Sequence, residues 1–308
     1  MPKALFRSES QVFRGTNHWK SFRQEYGFGT GASNFLGELG GRDRVGSDLF
    51  YDLEFSQTHT ANTAFYRYYI SEKTALRANF SYGIVRGDDK TTNEQFRRNR
   101  NLNFRSPIIE TSIIYEVHLL QEVVGRRYNL KGAKGFRNAF FDLYLYTGLA
   151  GFYFNPKGRL GSGQWYALRP LGTEGQQLNV NPTKKYSPIS VAIPIGIGVT
   201  KMLGKGPAKG DWKIGFDLGV RKTFTDYIDD VSGTYYDPSE LASQVGPTAA
   251  YLSNPSVENT TWFAAGQQRG DKQKVAYFYL NIVFYKNITY KDYAKARKAP
   301  RWRGRYKF

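Results

Sequence analysis

Trp212-Lys213-Ile214-Gly215-Phe216-Asp217-Leu218-Gly219-Val220-Arg221 alternates without a break. Even positions carry Trp, Ile, Phe, Leu and Val, and odd positions carry Lys, Gly, Asp, Gly and Arg. A period of two marks a β-strand, whose successive side chains point to opposite faces. The pattern recurs in Ala276–Tyr285, where Phe278, Leu280, Ile282 and Phe284 alternate with Tyr277, Tyr279, Asn281 and Tyr285. It recurs around Leu143, Leu145 and Leu149, and around Val191, Ile193, Ile195 and Ile197. Pro194 lies inside that last run and donates no ladder hydrogen bond, yet the alternation continues through it. Four further runs complete the set, and the spacing predicts eight strands over 24–37, 62–71, 74–87, 105–119, 139–154, 188–203, 211–225 and 274–287.

Alternation alone fits a soluble sandwich, a lipocalin-like barrel or a membrane barrel. The non-aliphatic face separates them. It carries Gly27, Gly29, Gly31, Ser33, Ser81, Gly83, Gly148, Gly196, Gly198, Gly215 and Gly219, where a solvated face would carry Lys, Glu, Thr and Gln. Small residues suit a cramped interior, and eight strands enclose a lumen just wide enough for side chains. Charges of both signs share that face: Glu25, Glu110, Glu116, Asp142 and Asp217 against Arg67, Arg77, Lys213 and Arg221. Buried charges need partners, so these residues are expected to form a lumen charge network. A lipocalin would turn the aliphatic face inward and is the competing arrangement. In the membrane arrangement the aliphatic face meets lipid, where a mid-bilayer Lys or Arg costs ~2–4 kcal/mol, and the pattern puts none there. Tyr26, Tyr66, Tyr68, Tyr82, Tyr115, Trp212 and Phe284 are placed for interfacial girdles. Long and short connections alternate, with a tight turn at Glu72-Lys73 and a Gly/Pro turn at 204–210 against long segments at 88–104, 155–187 and 226–273. The 120–138 link is longer than a tight turn. The expected fold is all-β: an eight-stranded antiparallel outer-membrane barrel with long external loops, both termini periplasmic.

Composition narrows the function. The 308 residues contain no cysteine, which excludes disulfides, thiolate nucleophiles and Cys-ligated metal sites. No apolar run approaches the ~18 residues of a transmembrane helix. The start, Met1-Pro2-Lys3-Ala4-Leu5-Phe6, lacks a signal-peptide run, so either the chain is cytosolic or the numbering begins at a processed end. The net charge is +18, which in general invites nucleic acid, acidic lipid or acidic protein.

Several stretches resemble the PorG family, a small outer-membrane barrel component of the type IX secretion and gliding machinery of Bacteroidota. They are Gly31–Gly41 (GASNFLGELGG), Asn101–Pro107 (NLNFRSP), Gly151–Pro156 (GFYFNP), Leu171–Gln176 (LGTEGQ), Pro194–Gly198 (PIGIG) and, most distinctive, Arg221–Tyr235 (RKTFTDYIDDVSGTY). The chain runs about 20 residues past the last strand, where barrels of this kind often stop at a terminal aromatic. The resemblance implies no enzyme activity. It implies association with a periplasmic ring made by a PorK/GldK-like lipoprotein and a PorN/GldN-like partner.

The strand map divides the charge. Segments 1–23, 119–137, 201–213 and 286–308 hold +4, +4, +3 and +8, leaving about −1 for the rest. On the expected topology all four face the periplasm. The chain divides into a basic N-terminal segment 1–23, the barrel 24–287 and a basic, aromatic tail 288–308. The tail interleaves Lys295, Arg297, Lys298, Arg301, Arg303 and Arg305 with Trp302 and Tyr306. Such a mixture could bind RNA, but the periplasm offers little, and Arg with aromatics also anchors protein interfaces. These residues, with Arg126 and Arg127, are expected to dock onto the ring lipoprotein, not onto nucleic acid.

Weaker signals remain. His18, His59 and His118 fit no metal spacing, and His118 is expected to join the lumen network through Glu116. His59 with Asp52 and Glu54 is a poor catalytic candidate at the external rim. Arg86-Gly87-Asp88 and Arg269-Gly270-Asp271 match adhesion tripeptides but read as chance turns. Asp226, Asp229, Asp230 and Asp237 are either a calcium site or a solvated loop. Lys157, Arg159, Lys184 and Lys185 are candidates for lipid A phosphates among outer-membrane lipid and lipopolysaccharide. No cofactor or metal is expected. Three functions compete: a non-catalytic anchor, a small pore or solute-binding barrel, and a surface adhesin or enzyme using the long loops.

Overall fold

The computed structural model describes residues 23–37, 39, 57–92, 94–122, 141–161, 163–176, 178, 185–203, 212–258, 261–270 and 275–288. All eight expected strands are present. They are β1 (Gln24–Leu36), β2 (His59–Tyr69), β3 (Thr74–Asp88), β4 (Asn103–Leu120) and β5 (Asp142–Phe154), and then β8 (Ile189–Leu203), β9 (Trp212–Thr223) and β10 (Ala276–Ile288). Each pairs antiparallel with its sequence neighbour, and β1 pairs with β10, so the ring closes and leaves no edge. Between β5 and β8 a small hairpin, β6 (Lys157–Arg159) and β7 (Trp165–Ala167), extends from the loop end of β4.

The registry fixes the stagger of the barrel. Followed once around the wall, the ladder that leaves β4 at Ile108 returns to it at His118, ten residues along. Eight strands with that stagger tilt by roughly 35–45° and leave an interior that side chains fill. Pro194 perturbs the wall locally. The β5–β8 registry runs to Thr147↔Ile195 and resumes at Ala150↔Ala192, so the gap lies opposite the residue that lacks an N–H.

The two faces divide as the alternation predicts. Phe28, Phe80, Ile113, Leu149, Val191, Ile195, Phe216 and Ile282 are exposed, as are all seven girdle aromatics. Outward charges stand at strand ends, Lys201 and Lys286 toward the termini and Lys222 toward the loops. The polar pair Thr30 and Asn62 satisfies itself, the hydroxyl donating to the amide oxygen at 3.0 Å. An apolar band around a polar, charged interior inverts the soluble barrel and rules out the lipocalin arrangement. Ile84 shares the parity of the exposed Leu76, Phe80 and Tyr82 on β3 but is buried, and its carbonyl accepts from Ser33 Oγ at 2.6 Å.

The long connections carry structure that alternation did not signal. α1 (Gln95–Arg100) starts at Glu94, which accepts from the Phe96 and Arg97 N–H groups, and stops at left-handed Asn101. α2 (Leu168–Leu171), α3 (Pro238–Gln244) and α4 (Pro247–Ser253) are short, and the last two open on a proline that needs no N–H partner. Phe35, Phe104, Phe152, Phe154, Ile228 and Val231 join the top of the lumen to these loops in one apolar cluster. The loops thus form a cap at the end opposite the termini.

Candidate functional site

Seven lumen charges form one alternating chain. Asp142 Oδ2 meets Lys213 Nζ at 3.4 Å, Lys213 meets Glu25 Oε1 at 2.7 Å, and Glu25 Oε2 meets Arg67 Nη1 at 2.9 Å. Arg67 Nε meets Glu116 Oε2 at 2.6 Å, Glu116 Oε1 meets Arg77 Nε at 2.9 Å, and Arg77 Nη1 meets Asp217 Oδ2 at 2.8 Å. Nearer the loops Arg221 Nε pairs with Glu110 Oε2 at 3.2 Å. All nine charges expected in the lumen are therefore buried and paired. His118 joins as expected, its Nε2 lying 3.6 Å from Glu116 Oε2. Each acid belongs to one strand and each base to another, so the ladder sets the pairing: Glu25 and Arg67 are direct partners of the β1–β2 registry.

The sequence reading missed the tyrosines that complete this network. Tyr144 and Tyr146 donate to Asp217 at 3.0 and 2.6 Å, and Tyr277 donates to Glu110 at 2.8 Å. The Arg67 guanidinium lies 4.4 Å from the Tyr285 ring centre and 4.8 Å from that of Tyr144, a doubly stacked cation. A signal for them was present in the glycines. A Cβ built on Gly198 would lie 2.1 Å from the Tyr144 ring, and one on Gly196 would lie 2.3 Å from that of Tyr146. Gly83, Gly196, Gly198 and Gly219 thus leave the space that tyrosine rings occupy.

The cap has a second buried centre. Arg269 Nη1 donates to Glu174 Oε1 at 3.0 Å, and its Nε to the Ser253 carbonyl at 3.1 Å. Glu174 Oε1 also accepts the Ser232 and Gly233 N–H groups at 3.0 and 3.1 Å. Arg100 grips Asp89 with two hydrogen bonds of 2.7 and 3.0 Å and donates to the Arg269 carbonyl at 3.2 Å. Asp230 accepts from Tyr186 Oη at 2.6 Å and from Thr173 Oγ1. Burial pushes the Asp230 carboxyl up to about 6, with Arg269 opposing and Glu174 adding to the rise. The Tyr186 hydroxyl is raised by burial and then by Asp230, so it stays a donor. The segments 171–176 and 221–235 meet at this centre.

Other sequence-derived candidates come out differently. The four aspartates do not converge: Asp237 caps α3, Asp229 accepts the Val231 N–H, and Asp230 holds Thr173 and Tyr186. Among the described residues no three His, Cys, Asp or Glu side chains are grouped to hold a metal. The first adhesion-like tripeptide is paired in β3 and is not a turn; in the second Arg269 is buried, and Asp271 lies outside the described residues. His59 opens β2, and its Nδ1 accepts the Thr60 N–H at 2.9 Å. His18, Asp52, Glu54, Arg126, Arg127, Lys184, segment 1–22 and the whole tail (Lys295, Arg297, Lys298, Arg301, Trp302, Arg303, Arg305, Tyr306) lie outside the described residues.

No family model matches the chain, and no curated protein does. Among solved structures it is similar to Ail, the attachment invasion locus protein of Yersinia pestis. The form in complex with the heparin analogue sucrose octasulfate is 9% identical, with 85% of this chain and 99% of that chain covered and a TM-score of 0.33. The second Ail structure is also 9% identical, with 86% and 98% covered and a TM-score of 0.32. The architecture is established by the chain's own ladder and faces: it is a closed eight-stranded antiparallel β-barrel of the outer-membrane type.

Proposed function

We propose that this barrel is a non-catalytic anchor that organises periplasmic machinery through a basic surface on its terminus side. The observation that carries the reading is the filled lumen. The ion-pair chain, its tyrosines and the cluster beneath the cap occupy the interior. That favours work done by surfaces over passage of solutes. The described cavity under the cap holds about 10 Å³, room for one water. Short turns with the termini at one end and long connections at the other support periplasmic termini. With Lys213 committed to the lumen chain, that orientation assigns the remaining +18 of the four terminus-side segments to the periplasm. The resemblance to the PorG family supplies the partner: a PorK/GldK-like ring lipoprotein with its PorN/GldN-like companion, in type IX secretion and gliding.

The test is recovery of the lipoprotein from native membranes by the full chain and by a chain ended at Asn287. Loss of recovery with the shortened chain is expected, and undiminished recovery would remove the tail from the docking surface. Arg126→Glu with Arg127→Glu tests the second basic segment in the same assay. Because the chain has no cysteine, Lys185→Cys reports orientation by labelling of intact cells with an impermeant maleimide. In planar bilayers the protein is expected to leave the baseline conductance unchanged; steady channel openings would favour the pore reading instead.

A further inference from the structure

Four cations gather on the outward face at the loop end of β3, β4 and β6. Arg86 stands directly opposite Arg105 in the β3–β4 ladder, and Arg105 directly opposite Lys157 in the β4–β6 pairing. Side chains so opposed start ~4.5–5.5 Å apart, and like charges there repel. Arg159 shares the Lys157 face, since the intervening Gly158 turns inward toward Leu168 and Leu252. A carboxylate, Asp88, lies 4.0 Å from Arg159 Nη2. Among the described residues Arg86, Arg105 and Lys157 have no acidic partner. This contrasts with the lumen, where every charge is matched. The four are half-buried. On the same face, four residues toward the membrane and ~13 Å away at strand rise, Tyr82 and Ile109 stand opposite each other and exposed, with Tyr153 beside Ile109. The cationic cluster therefore stands above the apolar band, separated from it by the single pair Ile84 and Pro107.

An unneutralised cluster at that boundary suits an anion that carries hydrocarbon. A phosphate monoester accepts paired N–H bonds from guanidinium groups and cancels the Arg86–Arg105–Lys157 repulsion. Acyl chains attached to it would run down over Tyr82, Ile109 and Tyr153. We propose that Arg86, Arg105, Lys157 and Arg159 bind the phosphate of a phosphorylated glycolipid, lipid A in class, in the leaflet around the loop end. The proposal rests on the outward orientation of the loops given above. Lys185 lies on the connection before β8, outside the β3–β4–β6 pairings that align the cluster.

The test uses the full chain in phosphatidylethanolamine nanodiscs doped with lipid A, with retained lipid read by native mass spectrometry. The wild type is expected to retain lipid A but not its dephosphorylated form. Arg86→Gln/Arg105→Gln/Lys157→Gln is expected to retain roughly tenfold less or lower, and Lys185→Gln as much as wild type. If the triple variant loses its heat-modifiable folded band, Arg105→Gln alone provides the comparison. Equal retention by the folded variant would overturn the site. Equal retention of phosphatidylglycerol would reduce it to a generic anionic surface, and displacement by millimolar inorganic phosphate to a free-anion site; either overturns the assignment. Orientation is read separately by Lys185→Cys. Labelling only after cells are opened would overturn the outward placement while leaving the nanodisc result intact.

Discussion

The lumen and the cap are both held by buried charge, but the charges serve different needs. In the lumen, carboxylates meet cations side chain to side chain, as in Glu25–Arg67–Glu116–Arg77–Asp217. In the cap, charges mostly satisfy backbone. Glu174 takes two loop N–H groups, Arg269 donates to the Ser253 carbonyl, and Arg100 to that of Arg269. The difference follows from the main chain. Strands exhaust their N–H and C=O groups on the ladder, so their side chains are left to one another. Irregular loops leave buried backbone groups that something must meet. Lumen charges therefore respond to changes in each other, and cap charges to changes in loop shape.

The comparison can be broken at several points. Arg67→Ala leaves Glu25 and Glu116 each short of a cation, and removing one partner of a buried pair costs ~3–5 kcal/mol. Urea titration of the folded gel band should show loss of the barrel as a whole, and an unchanged midpoint would sink the claim that the lumen chain is structural. Arg269→Ala should cost about 2–3 kcal/mol, confined to the cap. Limited proteolysis within 224–275 should accelerate while the barrel band keeps its urea midpoint. A shared loss of both would show that the two regions are one cooperative unit. Gly198→Val intrudes on the Tyr144 ring and should cost ~1–3 kcal/mol by overpacking. Tyr144→Ala in the same chain should recover part of that, and no recovery would place the strain elsewhere.

The most localised effect, confined to one group and one pH window, concerns Asp230. Its folded carboxyl is raised to about 6 from an ordinary value near 3.8. The folded cap thus binds the proton more tightly than the unfolded chain. Cap stability should be highest below pH 4 with respect to this group and fall as pH rises through 6, by about 3 kcal/mol at most. Asp230→Asn should flatten that window in hydrogen exchange of 227–235, and a pH slope that survives the change would assign it to another group.

Much of the barrel was legible because parity is a strong rule. The strand Trp212–Thr223 sorts its residues between lipid and lumen by position alone, and the same sorting isolated nine charges of opposing sign before any contact was known. The tyrosines escaped because a Tyr at an inward position reads as ordinary β-propensity until the glycine opposite it is identified. The cap escaped for a different reason. Asp230 and Arg269 lie in segments with no period, so nothing local distinguishes a buried aspartate from a calcium ligand or a buried arginine from an adhesive turn. The cationic cluster was half visible: Lys157 and Arg159 stood out as basic loop residues, whereas Arg86 and Arg105 were hidden inside strand ends and only the registry sets them side by side.

The sequence by itself determined the strands, their two faces, the inventory of lumen charge and the uneven spread of basic residues along the chain. These depend on residue type and local periodicity. Only the tertiary structure decided which charge meets which, how the glycines admit the tyrosine rings, and that three separate loops close into one cap around Arg269 and Asp230. Those outcomes depend on registry and closure, properties of the ring of strands that no single segment contains.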